Sequence, residues 1–219
     1  MEEALTRLQK LDTCAVSDAL DALGVPGVAL GIHALWPSGK ICGRVVTMQL
    51  VPAGRQTSSQ HLGTRAIMAA QPGDIIVIDH RQRVDAAGWG GLLSLAAQLR
   101  GVAGVIVDGA VRDVDESREL GFPVFARDAV PLTARGRVVE DSVNQPVTVA
   151  GIRVYPTDYV LADGSGVVFI PHERIDEVLT RAESIQEREA EMARRVREGI
   201  PVTEVMGARY EEMLKELKP

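Results

Sequence analysis

Arg112 and Asp113 end the apolar segment VIVDGAVRD, and this pair is the first candidate for chemistry in the chain. A guanidinium can bind a carboxylate through two parallel hydrogen bonds, and a carboxylate is a hard oxygen ligand suited to Mg²⁺ or Mn²⁺. Ligands of open α/β sheets bind beyond the carboxyl ends of strands, where this pair is predicted to lie. The pair therefore indicates an anion site beside a metal site; the alternative is a helix cap with a surface ion pair.

The stretch GWGGLLSLAAQLRG, residues 88–101, places very little side chain ahead of a predicted helix. Gly88, Gly90 and Gly91 let a ligand approach the main chain, and a helix start offers unpaired N–H groups to a carboxylate or phosphate. The stretch matches neither GxGxxG nor GxxxxGK[ST], so it favours neither a dinucleotide site nor a Walker-type site. The alternative explanation is a tight turn with close packing.

Composition restricts the class of protein. The 219-residue chain has 24 Lys and Arg against 30 Asp and Glu, a formal net charge of −6, which argues against a nucleic-acid partner. Cys14 and Cys42 lack CxxC spacing, so we expect small buried residues of an intracellular protein rather than a disulfide or zinc site. The N-terminus is unlike a signal peptide, and no apolar run reaches the roughly 20 residues that span a bilayer. We expect a cytoplasmic protein with no membrane partner.

The hydrophobic pattern favours an α/β layer architecture, because helices and strands alternate between about residues 91 and 128. Near the N-terminus, Thr13 or Ser17 is the candidate cap of a second helix that ends at Gly24. A tail at 201–219 is expected to be helical. The patterns predict helices at 3–23, 58–70, 91–100, 113–120 and 175–198, strands at 41–51, 74–79, 104–109 and 122–128, and a nearly all-β segment at 137–170.

Several motifs in a fixed order carry a family resemblance. The segment WGGLLSLAAQLRGVAGVIVDGAVRDVDESRELGFPVFAR, followed by GIRVYPTDYVLADGSGVVFIP, resembles the RraA-like family. That family includes metal-dependent 4-hydroxy-4-methyl-2-oxoglutarate/4-carboxy-4-hydroxy-2-oxoadipate aldolases and regulators of ribonuclease activity. The likeness runs from CAVSDALDALG near residue 14 to PHERIDEVL near residue 179. It implies a β/β/α swivelling-domain fold over residues 1–200, a C-terminal helical extension, and a homotrimer or hexamer with sites between subunits.

The resemblance also implies roles for residues. The backbone amides of Gly90, Gly91, Leu92 and Leu93 would hold the pyruvyl carboxylate. Arg112 would bind the pyruvyl end of the substrate and stabilise the enolate, and Asp113 would anchor Mg²⁺ or Mn²⁺. We therefore predict a divalent-metal-dependent lyase that cleaves a 2-oxo-4-hydroxy diacid to pyruvate and also decarboxylates oxaloacetate. The alternative is a protein-binding regulator of ribonuclease activity without catalysis.

Two departures from the family pattern bear on this choice. Many aldolase members carry an acidic residue at the position of Gly91, where it helps to hold the water that transfers the proton. An acidic residue from the C-terminal helix of a neighbouring subunit is also implied, with Glu187, Glu189 and Glu191 as the candidates. The ribonuclease regulator has lost the aspartate that corresponds to Asp113, so its presence here favours metal binding.

Other polar residues have simpler explanations. Asp108 lies close enough in sequence to orient Arg112, although it precedes a glycine and is also expected to shape a turn. Arg81 and Arg83 could contact the distal carboxylate of a diacid or belong to a solvated loop. His61 is interpreted as a surface or core histidine, and Trp89 as a core or interface anchor.

Overall fold

A mixed sheet of nine strands forms the centre of the computed structural model, which describes residues 2–54 and 60–207. Two further strands, β8 and β9, pair with each other, and a 3₁₀ turn at His172–Arg174 precedes the long C-terminal helix. The helices are α1 (Glu2–Leu8), α2 (Thr13–Ala22), α3 (Thr64–Ala69), α4 (Gly91–Leu99), α5 (Val114–Glu119), α6 (Ile175–Arg197) and α7 (Val202–Val205). The strands are β1 (Val28–Ala29), β2 (His33–Ala34), β3 (Ile41–Pro52), β4 (Ile75–Ala87), β5 (Gly104–Val111), β6 (Val124–Ala129), β7 (Val138–Val143), β8 (Val147–Val149), β9 (Ile152–Val154), β10 (Tyr159–Asp163) and β11 (Gly166–Ile170).

The connections of the central strands place two helix starts at one edge of the sheet. The strand order is β1-β11-β10-β3-β4-β5-β6-β2, with β7 paired to β3 outside this path. Strands β3 to β6 are parallel, and parallel neighbours need crossover connections, which α3, α4 and α5 supply. The predicted alternation of helix and strand is confirmed. Helices α4 and α5 therefore both begin beyond the carboxyl ends of strands β4 and β5.

The sheet is covered on both faces. Along β4, Ile76 and Ile78 pack into the apolar cluster that includes residues of α3 and α4. Ile75 and Val77 point the other way, into a cluster that includes the valines of β8 and β9. Strand β5 is buried at every position, as expected for a central parallel strand whose sequence is a continuous apolar run. Helices thus cover one face of the parallel strands, and β structure covers the other.

A second helical group packs on β10 and β11. Leu8 of α1, Leu20 of α2 and Leu179 of α6 are fully buried in one cluster with Tyr159. Helix α2 is capped by the side chain of Asp12, which accepts the N–H of Ala15 at 2.8 Å. The prediction of Thr13 or Ser17 as the cap is therefore wrong, because the helix begins one residue after the aspartate.

The structure differs from the sequence predictions in the length of β4 and the burial of Cys14, and it describes only part of the predicted C-terminal helix. Strand β4 continues to Ala87, past an irregular bend at Arg81 and Gln82, whose φ angles are +55° and +57°. Cys14 is exposed and Cys42 half-buried, so the predicted burial is wrong for Cys14. Of the predicted C-terminal helix, the structure contains α7, and residues 208–219 lie outside the described residues. No helix within 2–54 and 60–207 is long and apolar enough to cross a membrane.

The turn between β10 and β11 holds the start of α2 through Asp163. Its Oδ2 accepts the N–H of Thr13 at 2.9 Å, and its Oδ1 accepts the Thr13 hydroxyl at 2.6 Å and the N–H of Ser165 at 2.8 Å. Partial burial by itself raises the pKa of Asp163, but these hydrogen bonds and the charge of Lys40 outweigh it and lower that pKa. Asp163 thus joins the β10–β11 turn to the start of α2.

We expect Asp163→Asn to lower the free energy of unfolding by about 1–3 kcal/mol at neutral pH, because charge-assisted hydrogen bonds are lost. A lowered pKa means that the folded state favours the ionised form. The stabilisation is therefore present above the unfolded-state pKa of about 3.9 and is lost as pH falls through the lower folded-state pKa. Urea denaturation between pH 7 and pH 3 should show wild type and variant converging in acid.

Asp141→Asn, at an exposed aspartate of β7, is the matched control. Its free energy of unfolding should change by less than about 0.5 kcal/mol. An Asp163→Asn difference that stays constant down to pH 3 would contradict the assignment.

Candidate functional site

The start of helix α4 and the turn after strand β5 meet at one point. The N–H of Gly91 donates to Oδ2 of Asp113 at 3.0 Å, although the two residues are 22 positions apart. Next to this contact, the N–H of Arg112 donates to the carbonyl of Trp89 at 3.0 Å. The two stretches that sequence analysis singled out separately therefore form one site at the carboxyl edge of the sheet.

Asp113 occupies the N-cap position of α5 but makes no cap hydrogen bond there. Its backbone is left-handed, with φ +57° and ψ +41°, a conformation that costs a non-glycine residue on the order of 1–3 kcal/mol. The side chain instead reaches Gly91 and pairs with Arg112, whose Nε lies 3.2 Å from Oδ2. Of the alternative explanation, a helix cap with a surface ion pair, the ion pair is present and the side-chain cap is absent.

Both charged groups of this pair remain open to a ligand. The side chain of Arg112 is 41% exposed and that of Asp113 is 31% exposed. Oδ2 of Asp113 receives both contacts described above, and Oδ1 has no partner within residues 2–54 and 60–207. Both side chains therefore keep part of their surface accessible to solvent beside the helix start.

Gly90 and Gly91 leave space for neighbouring side chains rather than provide backbone freedom. Gly90 is extended, with φ −160°, a conformation open to any residue. A Cβ at Gly90 would lie 2.7 Å from Oδ2 of Asp113, and a Cβ at Gly91 would overlap Oε2 of Glu116. Two carboxylates thus lie directly against the main chain at the helix start, which explains why both positions carry glycine.

The amide groups proposed for carboxylate binding differ in availability. Gly90 provides no side-chain cap, so the first N–H groups of α4 depend on partners from outside the helix. The Gly91 N–H is taken by Asp113, and the Leu93 N–H turns back to the carbonyl of Gly90 at 3.1 Å. The Leu92 N–H has no acceptor in the part of the chain that the structure describes. The Gly90 N–H likewise has no acceptor within the described ranges, so Gly90 and Leu92 offer the free donors.

A chain of buried polar groups fixes the two segments against each other. Trp89 Nε1 donates to the hydroxyl of Ser94 at 3.0 Å, and the hydroxyls of Ser94 and Ser117 are 2.9 Å apart. The Ser117 hydroxyl also lies 3.2 Å from the carbonyl of Asp113. Because Trp89, Ser94 and Ser117 are each at most 2% exposed, these bonds are shielded from water. Trp89 is thus the core anchor that sequence analysis allowed.

A buried histidine lies beneath the glycine segment. The Nε2 atom of His80 is 2.7 Å from the carbonyl of Ala86, and its ring fills the space beside Gly88 and Gly109. A Cβ at Gly109 would lie 2.5 Å from His80 Cδ2. Burial lowers the pKa of His80, so its imidazole is neutral at physiological pH.

Asp108 does not orient Arg112. Its Oδ1 accepts from Nε of Arg127 at 2.5 Å, and its Oδ2 accepts the N–H of Ala150 at 2.7 Å. That prediction is wrong because Asp108 lies on the face of β5 that meets the β8–β9 turn, opposite α4 and α5. The turn expected at Asp108 is also wrong, since β5 continues to Val111. Asp108 joins β5, β6 and the β8–β9 turn instead.

The other residues considered as candidates from the sequence make contacts away from the Arg112–Asp113 pair. Arg83 pairs with Asp85 and donates to the carbonyl of Arg137, so its guanidinium is bound within its own loop region. His61 contacts the carbonyl of Leu62 through Nδ1 at 2.8 Å. In α6, Glu191 pairs with Arg194, and burial together with Asp12 and Asp18 raises the pKa of Glu189, whereas Glu187 is exposed.

The donor set at the site fits a hydrated divalent ion. Within the described ranges, no group of three or more His, Cys, Asp or Glu residues forms a ready-made metal cage. Mg²⁺ commonly uses one or two carboxylates and fills its other positions with water and substrate oxygens. The open Oδ1 atom of Asp113 is compatible with that mode of binding and unsuited to a structural zinc site.

Comparisons with known proteins agree with this architecture. A family model described as RraA-like, Aldolase/RraA, matches residues 13–169. The chain is 31% identical over 183 residues to a protein of Halalkalibacterium halodurans named "Putative 4-hydroxy-4-methyl-2-oxoglutarate aldolase", covering 83% of each chain. It is 32% identical over 186 residues to protein DlpA of Legionella pneumophila, covering 85% of this chain but only 30% of DlpA.

A solved structure gives the same fold. RraAS2 of Streptomyces coelicolor, described as an unusual member of the RNase ES inhibitor RraA protein family, superposes with a TM-score of 0.82 at 25% identity. The match covers 89% of this chain and 98% of that chain. The fold and the glycine-bordered site define an α/β protein of the RraA type. The chain belongs to the RraA-like, Aldolase/RraA family, and the fold predicted from the resemblance is confirmed.

Three residues of the site were not predicted from the sequence: Ser94, Ser117 and Glu116. Glu116 and Ser117 follow Asp113 by three and four positions, so all three share one side of the first turn of α5. Ser94 follows Gly90, the N-cap residue of α4, by four positions and so lies on the same side of that helix. Helical spacing from the two predicted motifs could have indicated these residues, but their contacts depend on how α4 packs against α5.

We expect Ser94→Ala to lower the free energy of unfolding by about 1–3 kcal/mol, because Trp89 Nε1 would be left buried without its acceptor. Ser117→Ala should cost a similar amount, and the double variant should cost less than the sum because the two hydroxyls belong to one network. Urea denaturation measures all three. Ser165→Ala, at an exposed hydroxyl, serves as control; additive losses in the double variant would show that the hydroxyls act independently.

Proposed function

We propose that this protein is a divalent-metal-dependent lyase that cleaves a 2-oxo-4-hydroxy diacid, of the 4-hydroxy-4-methyl-2-oxoglutarate type, to pyruvate. The observation that carries the proposal is the convergence of the uncapped start of α4 with the exposed Arg112–Asp113 pair. The aldolase name of a relative that aligns over 83% of its own length supports the same reaction class.

The substrate's 2-oxo acid end fits the positive features of the site. A helix start attracts a carboxylate through its N–H groups and dipole, and the free Leu92 N–H supplies a donor for it. Arg112 adds a guanidinium that is 41% exposed and can form two parallel hydrogen bonds. Gly90, Gly91 and Leu93 contribute the main-chain wall against which the carboxylate lies.

Asp113 is the residue that would hold Mg²⁺ or Mn²⁺, through the oxygen that faces away from Gly91. A divalent ion bound there supplies Lewis-acid chemistry that polarises the keto group of a 2-oxo acid. The Gly91 N–H and Arg112 keep the Asp113 side chain in one orientation.

Arg112 has the main electrostatic role in the cleavage step. Breaking the C3–C4 bond leaves its electron pair on the pyruvyl unit as an enolate, whose oxygen carries the developing negative charge. A guanidinium already in place stabilises that charge without reorganisation. Loss of carbon dioxide from oxaloacetate produces the same enolate, so oxaloacetate decarboxylation is the expected side activity.

We expect Arg112→Ala and Asp113→Asn each to lower kcat/KM for 4-hydroxy-4-methyl-2-oxoglutarate by about 10²–10³-fold, because each removes an electrostatic partner of the transition state. A coupled assay that follows pyruvate through NADH oxidation measures this loss. Arg118→Ala and Asp115→Asn are matched controls, since this exposed pair lies on α5, 2.7 Å apart. Wild-type turnover in either site variant would refute the proposal.

Metal dependence is tested separately on the wild-type protein. With Mg²⁺ or Mn²⁺ present, pyruvate release is expected from several 2-oxo-4-hydroxy diacids and from oxaloacetate. Excess EDTA should abolish release, and added metal should restore it. Inactivity on every substrate with metal present would instead favour the protein-binding regulator.

We infer that the chain forms a homo-oligomer, a trimer or a hexamer, through the outer face of α4. Leu92, Leu95 and Leu99 lie on this face and are 79%, 38% and 79% exposed. Contiguous exposed apolar surface of this kind is typical of protein–protein contacts. Contact at Leu92 would place the site beside a neighbouring subunit, where a glutamate such as Glu187 could reach it.

We expect Leu99→Glu to dissociate the oligomer, because a carboxylate buried in an apolar contact is costly. Light scattering coupled to size exclusion measures the molar mass. Val202→Glu, at another exposed apolar residue, should leave the mass unchanged. A monomeric wild type would contradict the inferred assembly.

A further inference from the structure

His80 lies between the two segments that carry the two halves of the site. Its ring borders Gly88, in the segment that leads to Gly91, since a Cβ built on Gly88 would lie 3.0 Å from His80 Cδ2. The ring also borders Gly109 of β5, the strand that leads to Arg112, where a Cβ would lie 2.5 Å from the same ring atom. Because buried groups pack closely, the imidazole sets the distance between these two stretches of main chain.

One hydrogen bond determines where this ring carries its proton. The Nε2 atom of His80 lies 2.7 Å from the carbonyl oxygen of Ala86, and a carbonyl only accepts, so Nε2 is the protonated nitrogen of the neutral imidazole. The other nitrogen, Nδ1, is buried and has no hydrogen-bond partner within residues 2–54 and 60–207. A second proton on Nδ1 would therefore create a buried cation without an acceptor from the described chain, which is costly.

The charged groups around His80 do not compensate such a cation. Arg83 disfavours it, whereas Asp85 and Asp79 favour it, and all three belong to β4 itself. Asp85 pairs with Arg83, and the oxygens of Asp79 accept from the main chain and from Gln49. Burial has the largest effect and lowers the pKa of His80.

The neighbours of the ring on other elements are uncharged. Strand β3 presents Leu50, whose Cδ1 lies as close to the Gly88 Cβ position as the ring does. Gly109 of β5 contributes only main chain. The next carboxylate on β5, Asp108, lies on the opposite face and pairs with Arg127. The neutral state of the ring therefore suits its surroundings on every side that the structure describes.

We propose that His80 is a positioning residue, whose neutral ring keeps residues 86–91 in place for the substrate and whose protonation in mild acid releases this segment. This inference rests on the proposed function. A protonated His80 is accommodated only when its ring reaches water, which breaks the bond to Ala86 and removes the ring from Gly88. The start of α4 follows Gly88 directly, so the main-chain amides that would bind the substrate are displaced with it.

The direction of the pH effect follows from the two states of the segment. In the open state His80 has the ordinary pKa of about 6.5, whereas burial lowers this pKa in the closed state. The closed state is therefore fully favoured above about pH 6.5 and loses stability as pH falls below that value. The apparent affinity for substrate falls with the closed fraction, while saturating substrate closes the segment again. We expect KM to rise in acid and kcat to change little.

Pyruvate measured in quenched samples between pH 7.5 and pH 5.5, at saturating Mg²⁺, tests this split. Wild-type KM for 4-hydroxy-4-methyl-2-oxoglutarate should rise at least about fivefold, with less than about twofold change in kcat. His80→Gln keeps an N–H donor for Ala86 and does not titrate, so its KM should stay nearly constant. His33→Gln, at an exposed histidine of β2, is the matched control and should keep the wild-type profile. A falling kcat at constant KM, or a wild-type profile in His80→Gln, would overturn the proposal.

Removal of the ring tests its contact with the glycine segment. At pH 7.5, His80→Ala should raise KM by about tenfold or more, because the amides at the helix start lose their position, and His80→Gln should recover most of this affinity. Gly88→Ala should raise KM in the wild-type background, since the new Cβ meets the ring, and should raise it less in His80→Ala. Independent effects of the two changes, or a wild-type KM in His80→Ala, would contradict the geometric argument.

Trp89, which lies in the same segment and is buried, supplies a readout that does not depend on turnover. The chain has two tryptophans, so Trp36→Phe leaves Trp89 as the single emitter. In this background the emission should shift to longer wavelength between pH 7.5 and pH 5.5 and return on neutralisation, and a further His80→Gln change should remove the shift. A shift that persists in His80→Gln, or no shift with His80 present, would refute the inference. Inactivity of the wild type on every diacid would refute the proposed function, and the emission would still decide the role of His80.

Discussion

The hydrogen bond from the Gly91 N–H to the Asp113 carboxylate is the interaction on which the site depends. It joins the starts of two crossover helices, both of which follow neighbouring parallel strands. A helix whose first turn lacks a side-chain cap must find acceptors elsewhere, and here a carboxylate from the next crossover supplies one. The Asp113 side chain bonds to α4 instead of capping its own helix, and its backbone is left-handed.

The buried network of Trp89, Ser94 and Ser117 keeps this arrangement rigid. Its hydroxyls lie between α4 and α5, and the last of them reaches the Asp113 carbonyl. The exposed pair of Arg112 and Asp113 is therefore supported from below by groups that water cannot reach. Such preorganisation is what an electrostatic catalyst requires, because its dipoles need not reorient when charge develops.

The glycine at position 91 is explained by the helix next to it, α5. As a sequence feature it is a departure from the family pattern, since many aldolase members carry an acid at this position. In the structure, the space beside Gly91 contains the carboxylate of Glu116, three residues after Asp113. The presence of glycine at position 91 and the presence of glutamate at position 116 are thus linked by packing.

The sequence by itself determined the α/β alternation, the apolar central strand β5 and the two motifs that form the site, because hydrophobic period and glycine placement are local properties. It also carried the family resemblance. Only the tertiary structure decided that Asp108 binds Arg127 rather than orienting Arg112, that the Asp113 side chain reaches Gly91, and that Glu116 covers the helix start. The physical reason is that these contacts join residues on separate elements, so their geometry is set by the packing of β5 against β6 and the β8–β9 turn and by the packing of α4 on α5.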